Sequence, residues 1–138
     1  MKKQLALLII LGALSNAGGF NPSMQSYING LKIEAKKSNS NFTDFSAQRG
    51  EQIFTSKHIG KRGKEISCTS CHGSNLTLPS KNAFTNKTID PLSPKVNSQR
   101  LTDVLEVQKW LKRNFNDVYK REGTAQEKGD VLYYIKSK

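Results

Sequence analysis

No methionine occurs after residue 24, and the 138 residues contain only two cysteines, two histidines and one tryptophan, with 11 acidic side chains against 22 basic ones. Each shortage excludes something. A tetrahedral zinc site needs four ligands, and it would have to use every cysteine and histidine in the chain, including Cys71 and His72, which are adjacent. Long hydrophobic runs are also missing. The one apolar stretch, Leu5–Leu14, has ten residues, where a membrane-spanning helix needs about 18 or more. It follows Lys2 and Lys3 and precedes the small residues Ser15 and Ala17, which is the composition of a secretory leader cut after residue 17. The expectation is therefore a periplasmic protein without stable membrane insertion. Export makes nucleic acid an unexpected partner, so the formal charge of +11 reads as steering toward an acidic protein or membrane surface, or simply as a solubility device.

What is present divides into helices and one long irregular stretch. Asn21 can cap a helix with Pro22 at its first position, and Met24, Tyr27, Ile28 and Leu31 share one face, so residues 18–45 read as a helical extension. Ser46 can cap a second helix carrying Gly50 and Phe54 on one face, where another helix could approach closely. Residues 55–67 are basic, glycine-bearing and without periodicity, and read as an exposed loop that includes His58. From Gly73 to Arg100 the chain is mostly Ser, Asn, Thr, Lys and Pro. So long an irregular run needs something to wrap around, and Pro91 and Pro94 would stiffen it.

Helical spacing resumes with Val104, Val107, Trp110, Leu111 and Asn114 on one face after Thr102 or Asp103 as cap. Trp110 is expected to pack beside the core or a cofactor. Thr124 and Glu127 form a capping box for a last helix that buries Val131, Leu132 and Ile135, with Tyr133 and Tyr134 expected against the Gly50 and Phe54 face. No strand alternates convincingly, so the expected fold is all-α, with residues 46–138 as a single domain.

The chemistry is concentrated in Cys68-Thr69-Ser70-Cys71-His72, the spacing at which c-type haem is attached. Each thiol can form a thioether with one haem vinyl group, and the next residue, His72, can coordinate iron from the same side. A redox dithiol would want a parallel-sheet context, which is missing, and a disulfide across two residues would leave His72 unexplained. The second axial ligand is open. A downstream methionine, the soft donor that raises haem potential, does not exist here; His58 is one alternative, and Asn114 another. An asparagine on an apolar helix face is expensive to bury, but it is also a good helix C-cap, and spacing leaves both roles open.

From about Ser46 onward the chain resembles the sphaeroides haem protein family of small exported c-type cytochromes. The likeness runs through "RGEQIF", "SCTSCHG", "KTIDPLSP", "RLTD", "VQKWLKRN" and "EKGDVLYYI". It implies a class I cytochrome c-like fold around one covalently bound haem c held by Cys68, Cys71 and His72. It further implies that Asn114, rather than its neighbour Asn116, is the distal ligand. The family is described as high-spin when ferric, taking electrons from a dihaem c-type cytochrome and binding small diatomic gases (O2, NO, CO) when reduced. A plain low-spin electron shuttle and a gas-reducing haem enzyme are the competing functions, and enzymatic turnover is not the expectation. One feature departs from the family: where its founding members place a disulfide just after the ligand asparagine, this chain has Phe115 and Gly123.

Overall fold

The computed structural model describes residues 19–138; the leader assigned to residues 1–17 lies outside them. Five helices form in the described chain: α1 (Pro22–Ser38), α2 (Ala47–Thr55), α3 (Thr69–His72), α4 (Val104–Tyr119) and α5 (Ala125–Ser137). Local chemistry sets their starts. Asn21, Ser46, Asp103 and Thr124 each accept a backbone N–H in the first turn, and Thr124 and Glu127 complete the reciprocal capping box.

The core forms where α5 is covered on two sides. From α1 come Met24, Ile28, Leu31 and Ala35, all buried, and they join Leu132, Tyr134 and Ile135 of α5, Phe54 of α2 and Leu111 and Phe115 of α4 in one cluster. The helical extension thus shares its core with the rest of the chain. Helices α2 and α5 cross closely because α2 has no side chain at the crossing point: a Cβ at Gly50 would lie 2.0 Å from the Asp130 carbonyl oxygen. On α5, Gly129 makes room for the Phe45 ring just before α2, 2.3 Å from where its Cβ would be.

The same crossing carries a buried ion pair. Asp130, 1% exposed, accepts bonds from Arg49 Nε (2.8 Å), Arg49 Nη2 (2.9 Å) and the Ser46 amide (2.7 Å). A buried carboxylate is tolerated only when so fully paired, and here the pairing also ties the α2 cap to α5.

Two expectations are corrected. The basic stretch read as a loop contains a minimal antiparallel ladder, β1 (His58–Ile59) with β2 (Glu65–Ile66), and a second ladder pairs β3 (Ser80–Lys81) with β4 (Thr88–Ile89). Two-residue strands are too short to alternate visibly. Tyr133 does not join Tyr134 against Phe54. Tyr134 is there, with ring centroids 5.3 Å apart, whereas Tyr133 meets Phe45 and Phe20 at 5.5 and 6.1 Å. Consecutive helical residues point about 100° apart, so only one of the pair can face α2.

The irregular segment between α3 and α4 is held by polar staples. The Ser93 amide donates to the Leu76 carbonyl (2.9 Å), and its hydroxyl, fully buried, donates to the Lys138 carbonyl (2.7 Å). Near Pro91 the chain is braced from within, since its carbonyl accepts from Asn97 Nδ2 and from Arg100 Nε (3.3 and 3.0 Å).

Candidate haem site

Helix α3 is a single turn that begins on Cys68 and ends at Gly73, whose φ of 72° is the left-handed value that favours glycine. One turn suffices to bring Cys68, Cys71 and His72 onto a common platform. The β3–β4 ladder latches it: Ser80 Oγ donates to the Cys71 carbonyl (2.7 Å), and the Ala83 amide donates to Cys71 Sγ (3.3 Å). The two thiols are not bridged to each other.

Burial pushes the Cys68 thiol up to about 12, with the neighbouring Cys71 adding to the rise. It therefore stays a protonated thiol at neutral pH. A reactive thiol needs the opposite shift, so Cys68 does not have the environment of an attacking cysteine. Among the described residues no cluster of three or more His, Cys, Asp or Glu could hold a metal ion.

Burial, aided by the Arg100 charge, also lowers the His72 imidazole to about 4. His72 is thus neutral and offers a lone pair. Its Nδ1 is buried with no hydrogen-bond partner, its ring lies 5.9 Å from that of Phe54, and its Nε2 faces the Asn114 carboxamide at 3.5 Å. A buried imidazole with one orphaned nitrogen and the other at the edge of hydrogen-bonding range is a poorly satisfied group. Two unbridged thiols and a neutral imidazole are the groups that a covalently tethered haem requires, and these residues fit one.

Asn114 reaches this position from the middle of α4, which continues to Tyr119 and is closed by Lys120 in the left-handed conformation. Asn114 is therefore not the helix cap. Asn116 is exposed. The ring of His58 stacks on Tyr119 at 4.2 Å, and the group facing His72 Nε2 is Asn114. Met24 is 0% exposed within the α1–α5 core.

Trp110 departs from expectation. The buried stripe of α4 is Leu111, Phe115 and Val118, which rotates Trp110 outward to 43% exposure. Its indole Nε1 donates to Glu106 Oε2 (3.0 Å), while Lys109 Nζ and Arg113 Cζ lie 5.3 and 4.9 Å from its ring. Sequence reasoning missed Arg100 as a neighbour of His72. The signal that could have found it is a lone arginine directly before the "LTD" helix start.

Phe115 and Gly123 do meet. A Cβ at Gly123 would sit 2.8 Å from two carbons of the Phe115 ring and 2.9 Å from Cγ, so the aromatic ring closes this loop by contact. This places the two Cβ positions near the roughly 3.8 Å separation of a disulfide. Phe115→Cys combined with Gly123→Cys is expected to form that bond on oxidation, and the oxidised form should be about 2–3 kcal/mol more stable than the reduced one. Thiol titration and chemical denaturation with and without reductant check this; two persistently free thiols would contradict the geometry.

Residues 40–135 match a family described as "Domain of unknown function (DUF1924)". The chain is 40% identical over 89 residues to cytochrome c-type protein SHP of Cereibacter sphaeroides, covering 64% of this chain and 68% of that protein. It is 35% identical over 86 residues to cytochrome c'' of Methylophilus methylotrophus, covering 62% and 60%. In structure it is similar to oxidised SHP, described as an oxygen binding cytochrome c, with a TM-score of 0.73 and 34% identity over 83% of this chain and 96% of that one. Oxidised cytochrome c'' superposes with a TM-score of 0.72 and 29% identity over 81% and 91%. The helical, single-domain fold is the one these cytochromes share.

Proposed function

We propose, from the premise that this chain belongs to the family of the sphaeroides haem protein, that it is an exported mono-haem c-type cytochrome that accepts an electron and binds small diatomic gases at a site Asn114 can vacate. The observation that carries the reading is the Asn114 carboxamide facing His72 Nε2 at 3.5 Å in a chain with no methionine beyond residue 24. When bound, haem c supplies a one-electron couple and an iron able to take O2, NO or CO.

The chain's own residues do the rest. Cys68 and Cys71 would hold the group through two thioethers, with His72 as the proximal ligand and Asn114 as the distal one. His72 brings a neutral nitrogen because burial keeps it deprotonated. Asn114 brings a hard, uncharged oxygen once its amide is turned, the two ends of a carboxamide being interchangeable by rotation. Such a donor suits ferric iron better than ferrous iron, so reduction of the bound group would favour release of Asn114. Leu111, Phe115 and Val118 anchor α4 in the core, so release needs only the half-buried side chain to swing and not the helix to move.

The electron donor implied by the family is a dihaem c-type cytochrome, and the compartment implied by residues 1–17 is the periplasm. Among the described residues no helix is long and apolar enough to cross a membrane.

The test is an optical titration of the purified holoprotein, first oxidised and then reduced under CO, comparing wild type with Asn114→Ala. The wild type is expected to show a high-spin ferric component and to bind CO when reduced. Because reduction already favours release of Asn114, Asn114→Ala is expected to alter the ferric spectrum while leaving the CO affinity of the reduced protein within about three-fold of wild type. A purely low-spin ferric spectrum and a reduced protein indifferent to CO would sink the gas-binding reading and leave a plain electron shuttle.

A further inference from the structure

Among the described residues the outward face of α4 is left largely uncovered. Leu105, 77% exposed, and Trp110, 43% exposed, are large apolar side chains left in solvent. Lys109, Lys112 and Arg113 stand beside them, all exposed, with Glu106 as the acidic residue among them. Lys109 and Arg113 flank the indole face, and Glu106 is engaged by both Lys109 and the indole N–H. Tryptophan and arginine are enriched where proteins meet, and large apolar side chains left exposed within a polar rim mark such a meeting place; here the rim is mixed but mainly basic, with Glu34 and Glu122 beside Lys109 and Lys112. Trp110 also lies one helical turn before Asn114, whose amide faces His72.

A second basic cluster, Lys57, Lys61, Arg62 and Lys64, has no tryptophan beside it and is the alternative docking surface that the test includes.

We propose that the Leu105, Lys109, Trp110, Lys112 and Arg113 face of α4 is the docking surface for an acidic one-electron donor protein. The inference rests on the c-type cytochrome reading. The indole forms the dry centre of the contact, and the three cations select a negatively charged partner and speed its approach. On transfer the donor loses one electron and the centre of this protein gains it, with no bond made or broken.

The test uses the haem-loaded, nitrogen-15-labelled chain and flavodoxin, a strongly acidic one-electron donor, as probe. Trp110 is the one tryptophan in the sequence, so its indole N–H gives a single assignable resonance. At low salt that resonance is expected to shift saturably as flavodoxin is added, and the shift should vanish at about 1 M salt, where the screening length falls to about 3 Å. Lys109→Glu with Arg113→Glu should weaken binding at least ten-fold; Lys109→Gln with Arg113→Gln, which adds no repulsion to Glu106, should weaken it about three-fold.

A Lys61→Glu, Arg62→Glu protein should bind within two-fold of wild type. The proposal is overturned if flavodoxin produces no saturable shift, or if the Lys61 and Arg62 pair carries the larger effect. A preparation lacking thioether-bound haem would instead defeat the cytochrome reading, and binding is measured separately from that.

Discussion

Replacing Cys68 and Cys71 together by serine is expected to give a protein that retains no haem after denaturation, whereas either single substitution should leave one thioether. Serine keeps the size and the mild polarity of the site but cannot add across a vinyl group. The effect should reach well beyond the site. Between Gly73 and Asp103 the chain has only the β3–β4 ladder as regular structure, and its remaining order comes from turns and staples such as those of Ser93. A segment of that kind orders around what it encloses. The double variant should therefore also melt at lower temperature and lose protection from proteolysis first in residues 73–103. Haem staining of a denaturing gel, with limited proteolysis beside it, checks both consequences. Haem that stays covalently attached in the double variant would refute the assignment of the motif.

The second large effect is expected at the α2–α5 crossing. Gly50→Ala puts a methyl group 2.0 Å from the Asp130 carbonyl oxygen and 2.8 Å from Tyr134 Cβ. Neither neighbour is the flexible end of a side chain, so the helices must part, and the Arg49–Asp130 pair spans the same joint. Overpacking of this kind costs about 3 kcal/mol or more, or a fall of about 10 °C or more in melting temperature. The contrast is Gly30→Ala. Its added methyl meets nothing within 4 Å in the middle of α1, and it should stabilise by about 0.5–1 kcal/mol. Thermal denaturation of the two holoproteins reads opposite signs from the same chemical change. Equal and small shifts would mean that the crossing is looser than these distances require.

Much of the architecture could be read from local signals because those signals act within one turn. Asn21 with Pro22, Ser46, and Thr124 with Glu127 announce helix starts, and each cap forms where it was expected. Gly50 and Phe54 forecast a close helix approach, and α5 supplies it. The Cys68 to His72 motif sits in five consecutive residues and needs no tertiary information to be recognised.

What could not be read depends on residues far apart. Nothing near Asp130 reveals that Arg49, 81 positions away, will neutralise it. The outward turn of Trp110 follows from α4 burying Leu111, Phe115 and Val118; a periodicity count that includes Val104 and Val107 centres the stripe about one residue too early. The meeting of Phe115 with Gly123 is likewise a property of the turn after α4. It shows as a missing side chain in the sequence and as a filled contact in the fold.

The sealing of Met24 has a bearing on endurance. Beyond the initiator, it is the one thioether side chain in the sequence, and it is 0% exposed under α1. Oxidants first convert accessible methionines to the sulfoxide. Among the described residues none is presented to solvent, so that surface can meet an oxidant without turning a thioether polar.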